Sequence, residues 1–115
     1  MKHVYVAGPY SIGDVAQNVR RAMEAAHVLI VAGHAPYIPH LAHFLHLHQP
    51  QDYETWMRLD LAWLSRCDAL VRLPGESEGA DREVAEAHRC NIPVVRIVAG
   101  TVGWTDQIDQ LPVRR

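Results

Sequence analysis

The sequence predicts an α/β fold, a single domain with a parallel sheet of four to five strands and helices on both faces. Three observations carry that expectation. The chain has 115 residues, long enough for one real core and too short for two. Short β-branched or aromatic stretches alternate with stretches of helical period along most of its length. Right-handed crossovers leave such alternation few topologies other than a parallel sheet covered on both sides.

The elements follow in order. His3 to Ala7 alternates and stops at Gly8-Pro9, which marks a first strand. Asp14 is placed to cap a helix in which Val15, Val19, Ala22, Ala26, Leu29 and Ile30 recur at helical spacing, and Gly33 sits where a C-terminal cap belongs. Ala35 to Ile38 is a second short strand ended by Pro39. His40 to Asp52, polar, rich in histidine and interrupted by Pro50, reads as an irregular loop. Tyr53 to Arg66 is a second helix, Asp68 to Leu73 a third strand, Ser77 to Cys90 a third helix and Pro93 to Val98 a fourth strand. The tail from Gly100, with Trp104 and Pro112, is expected to add an edge strand or to dock on a neighbour. In such a sheet ligands bind beyond the carboxyl ends of the strands, which brings Gly8 to Gly13, Pro39 to Asp52 and Pro74 to Gly79 together.

Composition narrows the function. Eleven basic and 13 acidic side chains give a formal charge of -2, with no basic footprint for polymeric nucleic acid and no polybasic membrane patch. No apolar run approaches the ~18 to 20 residues of a membrane span, and Met1-Lys2-His3-Val4 enters a strand without a signal-peptide core, so a cytoplasmic location is expected. Two cysteines, Cys67 and Cys90, form no CxxC pair and read as small buried hydrophobes.

The strongest physical signal is a pair of carboxylates on apolar helix faces. At ~100° per residue, Trp56, Met57, Leu59, Leu61, Trp63, Leu64 and Cys67 cover one broad arc, and Asp60 falls in its middle. In the next helix Ala80, Val84, Ala87 and Cys90 share an arc, with Glu83 on the apolar side. Glu83 lies near the helix N-terminus, where the dipole favours an anion, and points into the expected crevice. A carboxylate so placed finds partners or has its pKa raised. Taken singly, each is equally a buried carboxylate satisfied by backbone amides or by Arg72 or Arg96. Taken together, two inward carboxylates beside one strand end form the arrangement that cleaves glycosidic bonds.

The loops add polar groups. Pro74 to Ala80 is a glycine-containing turn entering a helix, suited to hold a phosphate or sugar hydroxyl through backbone amides and Ser77; the alternative is a plain cap with Ser77 as capping oxygen. Gly8-Pro9-Tyr10-Ser11-Ile12-Gly13 is glycine-flanked but is neither a P-loop nor GxGxxG, so dinucleotide and ATP chemistry lose support. His40, His43, His46 and His48, with His34 upstream, have the side chains for a metal but not the spacing of HExxH or a standard zinc site. They read instead as the polar lining of a pocket, with His40 the one placed to face the crevice.

Val6-Ala7-Gly8-Pro9-Tyr10, Pro39-His40, Asp60 to Leu64, Cys67 to Leu70 and Ser77 to Glu83 together resemble the nucleoside 2-deoxyribosyltransferase superfamily, which includes the nucleoside 5'-monophosphate N-glycosidases. The resemblance spans roughly residues 4 to 98, and the Pro39 to Phe44 segment matches a Pro-His-Leu-x-His-Phe loop of small bacterial and phage members. It implies a Rossmann-like, flavodoxin-like sheet and no metal or organic cofactor. The implied catalytic residues are Glu83 as nucleophile on the anomeric carbon, Asp60 at the leaving base or orienting the nucleophile, and Tyr10 positioning the sugar or Glu83. Gly8, Pro9, Ser11, His40, Ser77, Gly79 and Ala80 are the implied substrate-binding residues, with Ser77 and Gly79 on the 5'-hydroxyl or 5'-phosphate. The His40 to His48 loop departs from the better-known enzymes and occupies the place that reads the base. The expected partner is a nucleoside or nucleotide. A homodimer or higher homo-oligomer is expected as well, because Trp56 and Trp63 sit on an apolar helix with little core to cover them. Two other classes stay open: a non-catalytic nucleotide-binding or sensing module, and a metal-dependent hydrolase built on the histidine loop.

Overall fold

The computed structural model describes residues 1–98 and 102–112. Four parallel strands, β1 (His3–Ala7), β2 (Ala35–Tyr37), β3 (Ala69–Arg72) and β4 (Val94–Arg96), form one sheet in the order β2-β1-β3-β4. Tyr5 pairs with Tyr37 on one side and Leu70 on the other, and Leu70 pairs in turn with Val94. The strand order reverses direction between β1 and β3, which is where an open sheet of this kind opens a crevice.

Alternation along β1 assigns the two faces. Val4 and Val6 point to one side, where α1 (Val15–Val31) packs Ala22, Ala25 and Leu29 against Val71 and Val95. Tyr5 and Ala7 point to the other, against Leu64 of α3 (Tyr53–Leu64) and Ala80, Val84 and Ala87 of α4 (Glu78–Arg89). The expected cap of α1 forms, Asp14 accepting from the Gln17 amide at 3.2 Å, and α3 is capped in the same way by Asp52, which accepts from the Thr55 amide at 2.8 Å. Ile30, expected on the buried stripe of α1, is exposed, and Ala25 takes its place.

Two expectations are corrected. The segment after β2 is not an irregular loop: a 3-10 turn (Pro39–Leu41) runs into α2 (Ala42–His48). Its histidines are used at helical spacing, and Pro50 falls after the helix ends. The tail adds no edge strand within the described residues. It forms a short α5 (Thr105–Asp109) that packs Ile108, with the preceding Trp104, onto the α1 face of the protein's own core. His34 ties this helix down, with Nε2–H donating to the Asp109 carboxylate at 2.6 Å while Nδ1 accepts from the Lys2 amide at 3.2 Å. Gly100 and Thr101, where the tail begins, lie outside the described residues.

Among the described residues no helix is long and apolar enough to cross a membrane.

Candidate active site

Beyond the carboxyl ends of β1 and β3 lies a cavity of about 600 Å³. Gly8, Tyr10 and Ser11 from the loop after β1, Pro39 and His40 from the turn after β2, and Ser77, Gly79 and Ala80 from the start of α4 line it. Two close approaches shape its mouth. A Cβ at Gly8 would stand 2.9 Å from Leu73 Cδ1, and Gly75, at φ +114°, would place one 2.8 Å from Pro9 Cγ. Pro9 is therefore a packing residue of the rim. Of the residues expected to bind substrate, it alone does not line the cavity, and its carbonyl accepts from His40 Nε2–H at 3.0 Å.

Glu83 and Asp60 both face this space. Glu83 is only 5% exposed, and the Tyr5 hydroxyl donates to its Oε2. Burial is the main cause that lifts its pKa to about 8, and neighbouring Asp60 pushes the same way; the Tyr5 bond and the nearby Arg72 charge oppose the rise. Asp60, on the α3 face that meets α4, is lifted to about 7 by burial. It has no hydrogen-bond partner among the described residues. The two carboxylates therefore sit near neutrality, where one is able to hold a proton while the other is charged.

The arginines expected as counter-ions are placed otherwise. Arg72 is buried and donates to the Leu73 carbonyl, to the Gly75 carbonyl at 2.9 Å and to Asp81 at 3.1 Å, so it clamps the β3–α4 loop rather than bonding Glu83. Arg96 is exposed on β4. Ser77 Oγ accepts from the Ala80 amide at 3.0 Å, the capping role. The Glu78 and Gly79 amides at the same helix end have no acceptor among the described residues.

Tyr10 reaches neither carboxylate; its hydroxyl shares a hydrogen bond with His43 Nδ1. Asn18 fixes the loop from beneath, its amide donating to the Tyr10 carbonyl at 2.9 Å and the Ile12 carbonyl at 2.8 Å. The histidine segment forms a roof. His40 is 4% exposed, and burial lowers its pKa. His46 Nδ1 accepts from Trp56 Nε1–H at 2.8 Å, whereas His48 is exposed and away from the cavity. No three His, Cys, Asp or Glu side chains converge as a metal-holding group among the described residues.

Sequence reasoning placed His43 and His46 in a polar pocket lining, where they are found, but missed Tyr5, Asn18 and the cavity-facing place of Trp56. Tyr5 carried a usable signal: a tyrosine in a central strand must find a partner for its hydroxyl, and its side of β1 is the side of Glu83.

Comparison with known proteins agrees with this architecture. No curated protein matches the chain. Among solved structures it is similar to a 2-deoxyribosyltransferase from the psychrotolerant bacterium Bacillus psychrosaccharolyticus, described as a biocatalyst for the synthesis of antiviral and antitumoral nucleosides. The TM-score is 0.67 at 17% identity over 97% of each chain, a likeness of fold. The sequence model that matches residues 2–97 is the one described as Domain of unknown function (DUF7768), and the chain belongs to that family.

Proposed function

We propose that the protein cleaves or transfers at the N-glycosidic bond of a nucleoside or nucleoside 5'-monophosphate, with Glu83 as nucleophile. The observation that carries this reading is the buried Glu83 carboxylate, held by the Tyr5 hydroxyl and facing a cavity it shares with Asp60. The likeness of fold to a 2-deoxyribosyltransferase supports it.

The chemistry uses the two carboxyl groups in different states. An ionised Glu83 oxygen attacks C1' through an oxocarbenium-like transition state, and the C1'–N bond electrons leave with the base. Asp60, protonated in the minor form of the singly ionised pair that arises when the shared proton passes from Glu83 to Asp60, supplies the proton that the departing base nitrogen takes up. Water, or a second base, then attacks C1' as Asp60 receives a proton, and Glu83 leaves in its original form. Tyr5 is the positioning group: its O–H fixes one carboxylate oxygen and favours the charged form. Tyr10, Ser11, His40, Ser77, Gly79 and Ala80 bound the space for sugar and base.

The test is base release, followed by chromatography, from a panel of nucleosides and 5'-monophosphates, with and without an acceptor base. Release by the wild type that disappears in Glu83→Gln supports the reading. Binding without turnover in both proteins would replace it with a non-catalytic binding module.

A further inference from the structure

The charges around the cavity separate the two substrate classes left open above, an inference that rests on the glycosidic reading. Four carboxylate residues line the cavity, Asp60, Glu76, Glu78 and Glu83, and no lysine or arginine does among the described residues. The chain's one lysine, Lys2, donates to the Asp109 carbonyl at 3.2 Å, far along the chain from these loops. Arg82, over the ring of the cavity residue Tyr53, is already matched, donating to both Glu54 oxygens at 2.8 and 3.2 Å. Arg72 is buried on loop carbonyls and Asp81.

Two of the imidazoles are already engaged by hydrogen bonds within the protein. His46 Nδ1 accepts from Trp56 and from the Gln51 amide at 3.2 Å, so that nitrogen carries no proton. His40 donates Nε2–H to Pro9, and its buried Nδ1 has no acceptor for a second proton. The cavity thus presents carboxylates and no committed cation to a phosphate, whichever way the sugar lies. The start of α4 lines the same cavity as Glu83, on the same helix as the carboxylate proposed to attack C1'. There the two unbonded amides suit a hydroxyl oxygen, while the exposed carboxylates of Glu76 and Glu78 repel a dianion.

We propose that the site selects uncharged nucleosides with a free 5'-hydroxyl over 5'-monophosphates, with Glu76 and Glu78 as specificity-determining residues. A phosphate of about -1.5 to -2 charges within a Debye length of two exposed carboxylates is disfavoured, about tenfold at low salt.

The experiment compares kcat/KM for base release from one nucleoside and its 5'-monophosphate, at low and high salt, in the wild type and in the double variant Glu76→Gln, Glu78→Gln. Binding of the same two ligands to Glu83→Gln is followed in parallel by tryptophan fluorescence. The nucleoside is expected to be favoured about tenfold or more at low salt, with the ratio shrinking in high salt and in the double variant through the monophosphate KM. Equal or better use of the monophosphate, or a ratio unmoved in the double variant, overturns the selectivity and leaves the glycosidic reading intact. If neither ligand is cleaved, tighter nucleoside binding keeps the selectivity while the glycosidic reading falls, and equal or absent binding overturns both.

Discussion

Replacing Glu83 by Gln is expected to stabilise the protein in a way that depends on pH. The carboxyl titrates at about 8 in the folded chain against an ordinary 4.5, because burial penalises the charge. Below the ordinary value it is neutral in both folded and unfolded chains, and its contribution to stability is fully present. As pH rises from there the unfolded chain releases the proton first, so stability is lost progressively and is gone above about 8. The difference corresponds to a few thousandfold in proton affinity, a ceiling of roughly 5 kcal/mol at ~1.4 kcal/mol per tenfold, and relaxation around the charge brings the expectation to about 3 to 5. Gln keeps the shape and accepts the same Tyr5 bond without the charge. Denaturant or thermal unfolding of both proteins from about pH 5 to about pH 9 reads the effect, with near-coincidence at the acid end and a gap of ~10 to 20 °C at the alkaline end. Groups shared by the two proteins largely cancel in the comparison. A gap that stays constant across this range would refute the reasoning, because it would mean that the Glu83 carboxylate is not desolvated.

Asp60→Asn removes the proposed proton donor: kcat is expected to fall by about 10² to 10⁴, and the bell-shaped pH profile set by the pair is expected to lose its alkaline limb. A profile that keeps that limb assigns the acid elsewhere. Tyr5→Phe takes away the donor that favours ionised Glu83, so the reactive fraction and kcat should fall and the limb of the rate profile that Glu83 sets should move to higher pH, and an unmoved profile contradicts the positioning role. Asn18→Ala leaves the Tyr10 and Ile12 carbonyls without their donor; about 1 to 3 kcal/mol of stability should be lost, and KM should rise more than kcat falls, as unfolding and steady-state kinetics would show. Leu59 and Trp63 are 47% and 56% exposed on α3, so light scattering is expected to report a homo-oligomer that Leu59→Ser with Trp63→Ser reduces to 13.0 kDa. A wild type already at 13.0 kDa contradicts it.

What was legible in the sequence and what was not divides by the range of the interactions. Asp60 and Glu83 stood out because a charge in an apolar helical arc violates a local period, and both line the cavity. The strands and the three long helices were legible for the same reason, since their caps and spacing are local. Helix α2 was not: seven residues give less than two full turns of pattern, and His43 and His46 are held by Tyr10 and Trp56, residues of other elements. Tyr5 hid in a strand, where an aromatic reads as packing while its hydroxyl meets Glu83, 78 residues away. The five-residue α5 carried too little periodicity to be told from a strand, and packing of Trp104 and Ile108 on the core decided it.

The cavity's two walls have separate structural origins. Asp60, Glu83 and Tyr5 are carried by α3, α4 and a central strand, elements whose packing makes the core that keeps the chain folded. Helix α2 buries none of its own residues and is joined to the opposite wall by imidazole bonds. Changes there are therefore cheap in stability. Substitutions in residues 42–48 therefore reshape one side of the cavity while leaving the packing of α3 and α4 in place. A library confined to that segment is the economical place to look for altered preference.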